Sequence, residues 1–212
     1  MSARVNFAAA VQIKTVIFDF GGVIVHWDPR RVYRRFLDTD DEIHAFFEEV
    51  GFDEWNLEQD RGRPWADAVA ELSGKYPHRA ELIRAFDELW EESIGGTIEG
   101  TVRIAERLHK AGYQLVGLTN WSAEKFPLSR ARYDVFKLFD EIIVSGDVKL
   151  VKPDAEIFHL TLKTIGRSAG ECLFIDDSPA NVAAAANLGF ATIHFESPEQ
   201  LQRRLKVMGF PV

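Results

Sequence analysis

One cysteine, two methionines and no long apolar run set the first limits on this chain of 212 residues. A single thiol, Cys172, cannot close an internal disulfide, so the fold requires no oxidising compartment. No apolar stretch approaches the roughly 20 residues that span a bilayer. Near the N terminus, Ala8-Ala9-Ala10-Val11 is too short for the core of a signal peptide, and polar Gln12 and Lys14 follow it. Internal repeats, low-complexity tracts and Pro/Ser-rich linkers are also missing. The chain therefore reads as soluble and cytoplasmic. Cations are in deficit as well, with 25 Lys and Arg against 33 Asp and Glu and a formal net charge of −8. Such a far field repels phosphate polymers and anionic lipid, so neither nucleic acid nor a membrane is expected as a partner. A small anion stays possible, because one cation can reverse the field inside one pocket.

What is present is a globular composition, 46% hydrophobic and 27% charged, of a length for one core plus a small appended module. Five short apolar runs rich in β-branched and aromatic residues end at turn residues: Thr15–Phe20, Tyr113–Leu118, Glu141–Ser145, Cys172–Ile175 and Ala191–Phe195. They read as strands buried on both faces. Helical patterns separate them over Ile98–Ala111, Asp154–Ile165 and Asn181–Leu188. A last helix opens at Ser197-Pro-Glu-Gln200, a capping box with Pro at its first position. Strand and helix alternating at this spacing imply an α/β fold, a doubly wound parallel sheet. From Asp28 to about Gly96 no strand pattern appears. Helices are expected instead from Asp28-Pro29 to Leu37, over Asp40–Val50, Pro64–Ser73 and Pro77–Ser93. Residues 1–27 and 97–212 are thus expected to form the core and residues 28–96 a small helical cap over its mouth.

Ligands bind beyond the carboxyl ends of such strands. The residues found there are Asp19 to Gly22 after the first strand, Thr119, Asn120 and Trp121 after the second, and Asp147, Lys149 and Lys152-Pro-Asp154 after the third. Asp176, Asp177 and Ser178 follow the fourth. Asp19, Asp176 and Asp177 in one crevice repel one another unless a cation joins them. Hard oxygen donors suit Mg²⁺. Lys152 and the Thr119 hydroxyl add donors for a tetrahedral anion. That set fits phosphoryl transfer through a carboxylate nucleophile. Ser178 is expected to cap the helix that starts near Pro179, leaving both acids for the metal.

Four segments together resemble the haloacid dehalogenase (HAD) superfamily, in its phosphatase-rich branch with a helical cap after the first motif. They are Phe18-Asp-Phe-Gly-Gly-Val23, Leu118-Thr-Asn120, Lys152-Pro-Asp-Ala-Glu-Ile-Phe158, and Phe174-Ile-Asp-Asp-Ser178 followed by Asn181. The resemblance covers nearly the whole chain. It implies a Rossmann-like core, Asp19 as nucleophile and Mg²⁺ ligand, and Thr119, Asn120 and Lys152 as phosphate binders. It also implies Asp177 as a metal ligand with Asp176 beside it, and a metal contact through the Gly21 carbonyl. The implied substrate is a small phosphorylated metabolite.

One departure matters. The superfamily's usual second Asp, two residues after the nucleophile, acts as general acid and base. Here Gly21 stands at that position. General acid–base help is worth about 10²–10⁴ in rate. The expectation is either a preference for good leaving groups or an acid borrowed from Asp28 or His26. Gly21 also keeps two competitors in view: a 2-haloacid dehalogenase-type hydrolase, and a non-catalytic ligand-binding member. In the insert, Glu58-Gln-Asp-Arg-Gly62 is where a cap would meet substrate, with Arg61 the contact candidate. Trp121 and Trp55 are candidates for the pocket wall. Arg30, Arg31, Arg34 and Arg35 read as a solvated helix face, and Cys172 as inert core. No oligomeric state is legible.

Overall fold

The computed structural model describes residues 12–212; the Ala8–Val11 stretch considered above lies outside the described residues. Five parallel strands form the central sheet: β1 (Thr15–Phe18), β4 (Gln114–Thr119), β5 (Glu141–Val144), β6 (Cys172–Asp176) and β7 (Ala191–His194), in the order β5-β4-β1-β6-β7. Two further strands, β2 (Val25–Trp27) and β3 (Ile94–Thr97), pair as a separate antiparallel ribbon. Helices α1 to α5 lie between β2 and β3, at Arg30–Tyr33, Asp40–Val50, Phe52–Asp60, Trp65–Lys75 and Ala80–Glu88. Helices α6 (Glu99–Lys110), α7 (Phe126–Arg132), α8 (Ser145–Val148), α9 (Ala155–Ile165), α10 (Pro179–Asn187) and α11 (Pro198–Val207) connect and follow the sheet strands. No helix of the described residues is long and apolar enough to cross a membrane.

Alternation along each strand splits the core in two. Ile17, Val116, Leu118 and Phe174 pack with Ile157, Phe158 and Ala185 on one face. Val16, Phe18, Leu115, Leu173 and Ile175 face the other way. That second cluster runs on through Phe20, Phe126, Trp121 and Trp90 into the helical layer, where Tyr33, Phe46, Phe52, Trp65 and Phe86 are almost fully buried. Cys172 is buried against the α10 side of the sheet, as inert core should be.

Glycine in the middle of a buried strand ordinarily weakens it. Gly117 has a reason to be there: a Cβ on it would lie 2.2 Å from Cζ of Phe20. The missing side chain makes the niche that seats the Phe20 ring among Phe126, Phe136 and Phe139. Gly117→Ala should therefore overpack this junction, destabilising by about 1–3 kcal/mol. A thermal melt should read this as a drop of about 2–10 °C, and an unchanged melt would show that the niche has slack.

The ribbon β2–β3 is a correction to the sequence reading: β2 was not among the five expected strands, and β3 begins at Ile94, inside the stretch of residues 28 to about 96 where no strand was expected. Helix α3 was also missed, and the expected helix Pro77–Ser93 breaks into a 3₁₀ turn, α5 and a second 3₁₀ turn at Trp90–Ser93. The helix expected from Asp28 to Leu37 is shorter, only Arg30–Tyr33. At α11, Ser197 accepts from the Gln200 N–H, but the Gln200 amide bonds the His194 carbonyl, so only half of the capping box forms.

Candidate active site

Strand β1 ends at Phe18, and the next residue turns its side chain into the crevice at the carboxyl edge of the sheet. The Asp19 N–H still bonds the Ile175 carbonyl at 2.9 Å, so its position is set by the sheet. The chain then doubles back, with the Phe20 carbonyl accepting from Val23, Ile24 and Val25. Gly22 takes φ +74°, and a Cβ there would sit 2.2 Å from Oδ2 of Asp177. Two strand-end loops thus close on each other, and only glycine lets them do so.

Lys152 is 2% exposed. Its Nζ lies 2.8 Å from Oδ1 of Asp19 and 2.6 Å from Oδ2 of Asp176. Its backbone is held by Asn120: Lys152 N–H donates to Asn120 Oδ1 at 2.8 Å, and Asn120 Nδ2 donates to the Lys152 carbonyl at 2.9 Å. One amide hydrogen of Asn120 is then left for a ligand. Asp176 is fully buried and fully engaged. Beyond Lys152, its Oδ1 accepts from Ser178 N–H at 2.8 Å, and Asn181 Nδ2 lies 3.1 Å from both oxygens. Ser178 stands at the N-cap of α10, but its side chain makes no capping bond; its N–H is held by Asp176 instead. Asp177 is the exposed member and lines the crevice.

Asp19, Asp176 and Asp177 each bring an oxygen within 4.8 Å of the others. Three carboxylates face one ammonium, which leaves uncompensated negative charge in a buried place. Burial, assisted by Asp176 and Asp177, pushes the Asp19 carboxyl up to about 7 even though Lys152 opposes this. Asp177 is raised too, by burial and by Asp176. Burial works against the charge on Lys152, but Asp19 and Asp176 outweigh it and raise its pKa. All-oxygen donors with surplus negative charge fit a hard divalent cation such as Mg²⁺.

The crevice encloses about 230 Å³ and is lined on the sheet side by Asp19, Gly21, Asn120, Lys152 and Asp177. Thr119, the last residue of β4, is 1% exposed and is not among the lining residues. From the helical layer come Asn56 and Asp60 of α3, and Trp27, Trp90 and Trp121 form the apolar wall. The sequence reading placed Trp121 here correctly. Trp55, its companion candidate, is 7% exposed within the aromatic cluster and donates to the Ala68 carbonyl.

Asp60 is the residue that sequence reasoning passed over. Within Glu58–Gly62 it is Asp60 that lines the crevice, whereas Arg61 pairs with Glu58 and with Asp154. The signal was an i, i+4 pair, Asn56 and Asp60, on one face of a helix whose other face buries Phe52, Trp55 and Gln59. Burial and the nearby Asp19 push the Asp60 carboxyl up to about 8. Neither expected acid reaches the crevice. Asp28 is tied to Arg30 and Arg34. Burial acts upward on its pKa, but the Arg30 hydrogen bonds outweigh it and hold the carboxyl below its usual range. His26 is exposed on β2. The arginine face of α1 is solvated and ion-paired, as its spacing suggested.

These motifs and this edge of the sheet have counterparts elsewhere. The family profile of the haloacid dehalogenase-like hydrolases matches residues 13–189. D-ribitol-5-phosphate phosphatase of Bacteroides thetaiotaomicron is 26% identical over 211 residues, covering 92% of this chain and 98% of its own. Sesquiterpene phosphatase astK of Aspergillus oryzae is 27% identical, with 85% and 89% covered. Drimenol cyclase drtB of Aspergillus calidoustus is 27% identical over 94% of this chain, which spans only 37% of that longer protein. Among solved structures, a HAD family enzyme of Bacteroides thetaiotaomicron superposes with a TM-score of 0.74 at 22% identity, covering 92% and 98%. L-2-haloacid dehalogenase of Xanthobacter autotrophicus does so with 0.62 at 20%, covering 95% and 85%. Structural likeness at such identity speaks for the fold, and the sequence profile for descent: the chain is an enzyme of the haloacid dehalogenase-like hydrolase family.

Proposed function

We propose that this hydrolase is a Mg²⁺-dependent phosphatase of small phosphate monoesters, with Asp19 as nucleophile and residues 28–96 as its cap. One observation carries the reading: the oxygens of Asp19, Asp176 and Asp177 lie within 4.8 Å of one another beside the buried Lys152 ammonium. Two relatives are named as phosphatases across most of their length. A HAD family neighbour was solved with magnesium and inorganic phosphate bound.

Asp19 and Asp177, with the Gly21 carbonyl, would hold the cation, and Asp176 would serve from behind by fixing Lys152. When bound, Mg²⁺ supplies positive charge against the acids and the phosphoryl oxygens. Lys152 holds a phosphoryl oxygen, assisted by the free Asn120 amide hydrogen. Asp19 Oδ attacks phosphorus and the ester oxygen leaves. Water then cleaves the aspartyl-phosphate and frees Asp19. The Trp27, Trp90 and Trp121 wall suits the carbon skeleton of a sugar-phosphate-like metabolite.

The test is phosphate release across a library of phosphorylated metabolites. Turnover with Mg²⁺ should fall by at least about 100-fold in a chelator and return when Mg²⁺ is restored. Chloride release from 2-chloropropionate that survives chelation would instead favour the dehalogenase alternative. Mg²⁺ binding without turnover of any ester would favour a ligand-binding role.

A further inference from the structure

Gly21 removes the side chain that would handle protons in this crevice, and nothing nearby on the sheet replaces it. The exposed His26 and the ion-paired Asp28 stand outside the lining. Lys152 is a buried ammonium paired with both Asp19 and Asp176, and Asp176 is fully buried and fully hydrogen-bonded. The helical layer contributes one carboxyl to the lining, Asp60, at the C-terminal end of α3.

The position of Asp60 is fixed by contacts independent of its own side chain. Its backbone carbonyl accepts from Ser145 Oγ at 2.6 Å, and the same hydroxyl accepts from the Trp121 N–H at 2.8 Å. Arg61, next along, bonds Asp154 Oδ2 at 3.1 Å. Gly62 (φ +95°) lets the backbone approach so closely that a Cβ there would lie 2.7 Å from the Gly146 carbonyl oxygen. Three consecutive residues thus dock on α8 and on Asp154, just ahead of α9. They seat the Asp60 carboxyl opposite Asp19, with the Asn56 amide 3.4 Å from its Oδ2.

We infer that Asp60 is the proton donor and acceptor of this enzyme, supplied by the helical layer in place of the side chain missing at Gly21. The inference rests on the phosphatase reading above. As Asp19 Oδ bonds to phosphorus and the P–O(R) bond breaks, the departing oxygen takes the Asp60 proton and leaves as the alcohol. In the second step water attacks the aspartyl-phosphate and passes its proton to the Asp60 carboxylate. The P–O bond to Asp19 breaks, and inorganic phosphate and both original side chains are restored. The raised pKa of Asp60 is consistent with a carboxyl that holds a proton near neutrality.

The inference predicts a leaving-group signature. In Asp60→Asn, kcat/KM for alkyl phosphates should fall by about 10²–10⁴. For 4-nitrophenyl phosphate, whose leaving group needs little protonation, the fall should stay within about tenfold. Asp60→Glu should recover part of the alkyl rate. So should Gly21→Asp added to Asp60→Asn, because a Cβ at Gly21 meets nothing nearer than Trp27 Cβ at 3.8 Å. Circular dichroism and Mg²⁺ affinity report whether the variants fold. An equal fall on both ester classes, or none on either, overturns the inference and leaves the phosphatase reading standing. So does a wild type that turns over aryl esters alone. A wild type that releases phosphate from neither class removes both.

Discussion

Asp19→Asn should abolish phosphate release, by on the order of 10⁴–10⁶-fold, while making the metal-free protein more stable at pH 8. The first effect follows from chemistry: an amide of the same shape cannot act as the carboxylate nucleophile. The second follows from the charge count around Lys152. Without a cation, three acids share one ammonium, and the Asp19 carboxyl is pushed up to about 7 by burial, then by Asp176 and Asp177. A folded-state pKa above the unfolded value near 3.8 means that the folded protein binds the extra proton. The group therefore favours folding below about pH 4 relative to higher pH, and that contribution is lost as pH rises through about 7. Asn removes this dependence. Its metal-free melting curve should be flatter from pH 4 to 8, and it should exceed the wild type at pH 8 by on the order of 2–4 kcal/mol. Mg²⁺ should raise the wild-type melting temperature more than the variant's. Retained turnover above a few per cent, or equal pH profiles, would remove Asp19 from the centre of the site.

The contrast between Asp19 and Asp60 marks what a sequence alone discloses. Asp19 sits at the end of a strand that announces itself, because Val16, Ile17 and Phe18 are buried on both faces and a glycine pair follows. The ends of such strands shift by a residue or two for reasons outside the run. β1 stops at Phe18 because the Phe20 carbonyl is already gathering a turn, whereas β6 extends to Asp176 because it pairs with His194 of β7. Helix α2 was found at its observed bounds, with Thr39 and Glu42 forming a capping box ahead of a regular apolar face. Helix α3 carries no such marks. Gly51 in the left-handed conformation ends one helix and starts the next, and no side chain caps α3.

The β2–β3 ribbon escaped for a related reason. Its strands are three and four residues long and are separated by the 66 residues between Trp27, at the end of one, and Ile94, at the start of the other; no local pattern links them. The role of Asp60 is further still from local reach, since its crevice neighbours follow β1 and β4 and its backbone is held by α8. Motifs at strand ends are legible because the sheet fixes what they meet; a residue on the helical layer becomes functional only through docking.

Lys152→Met should damage both stability and activity, and it separates two roles that the motif merges. The ammonium is 2% exposed and touches carboxylates of Asp19 and Asp176. Methionine fills similar volume, so the loss is one of charge. Two buried acids without a counter-ion cost about 3–5 kcal/mol, a fall in melting temperature of about 6–20 °C. The raised pKa of Lys152 keeps it charged at every ordinary pH, so the pH dependence of the damage comes from the acids. Asp19, whose carboxyl burial already raises, takes up a proton more readily at low pH than at pH 8, and the gap between variant and wild type should widen accordingly as pH rises. Asp176 is held besides by Ser178 N–H and Asn181, donors that an asparagine oxygen at this position can still accept from. Lys152→Met with Asp176→Asn should therefore regain much of the lost stability, a coupling that a double-mutant cycle measures. Activity should stay low, because no ammonium remains to meet the phosphoryl oxygen. Recovery of turnover along with stability would mean that Lys152 serves only to neutralise its neighbours.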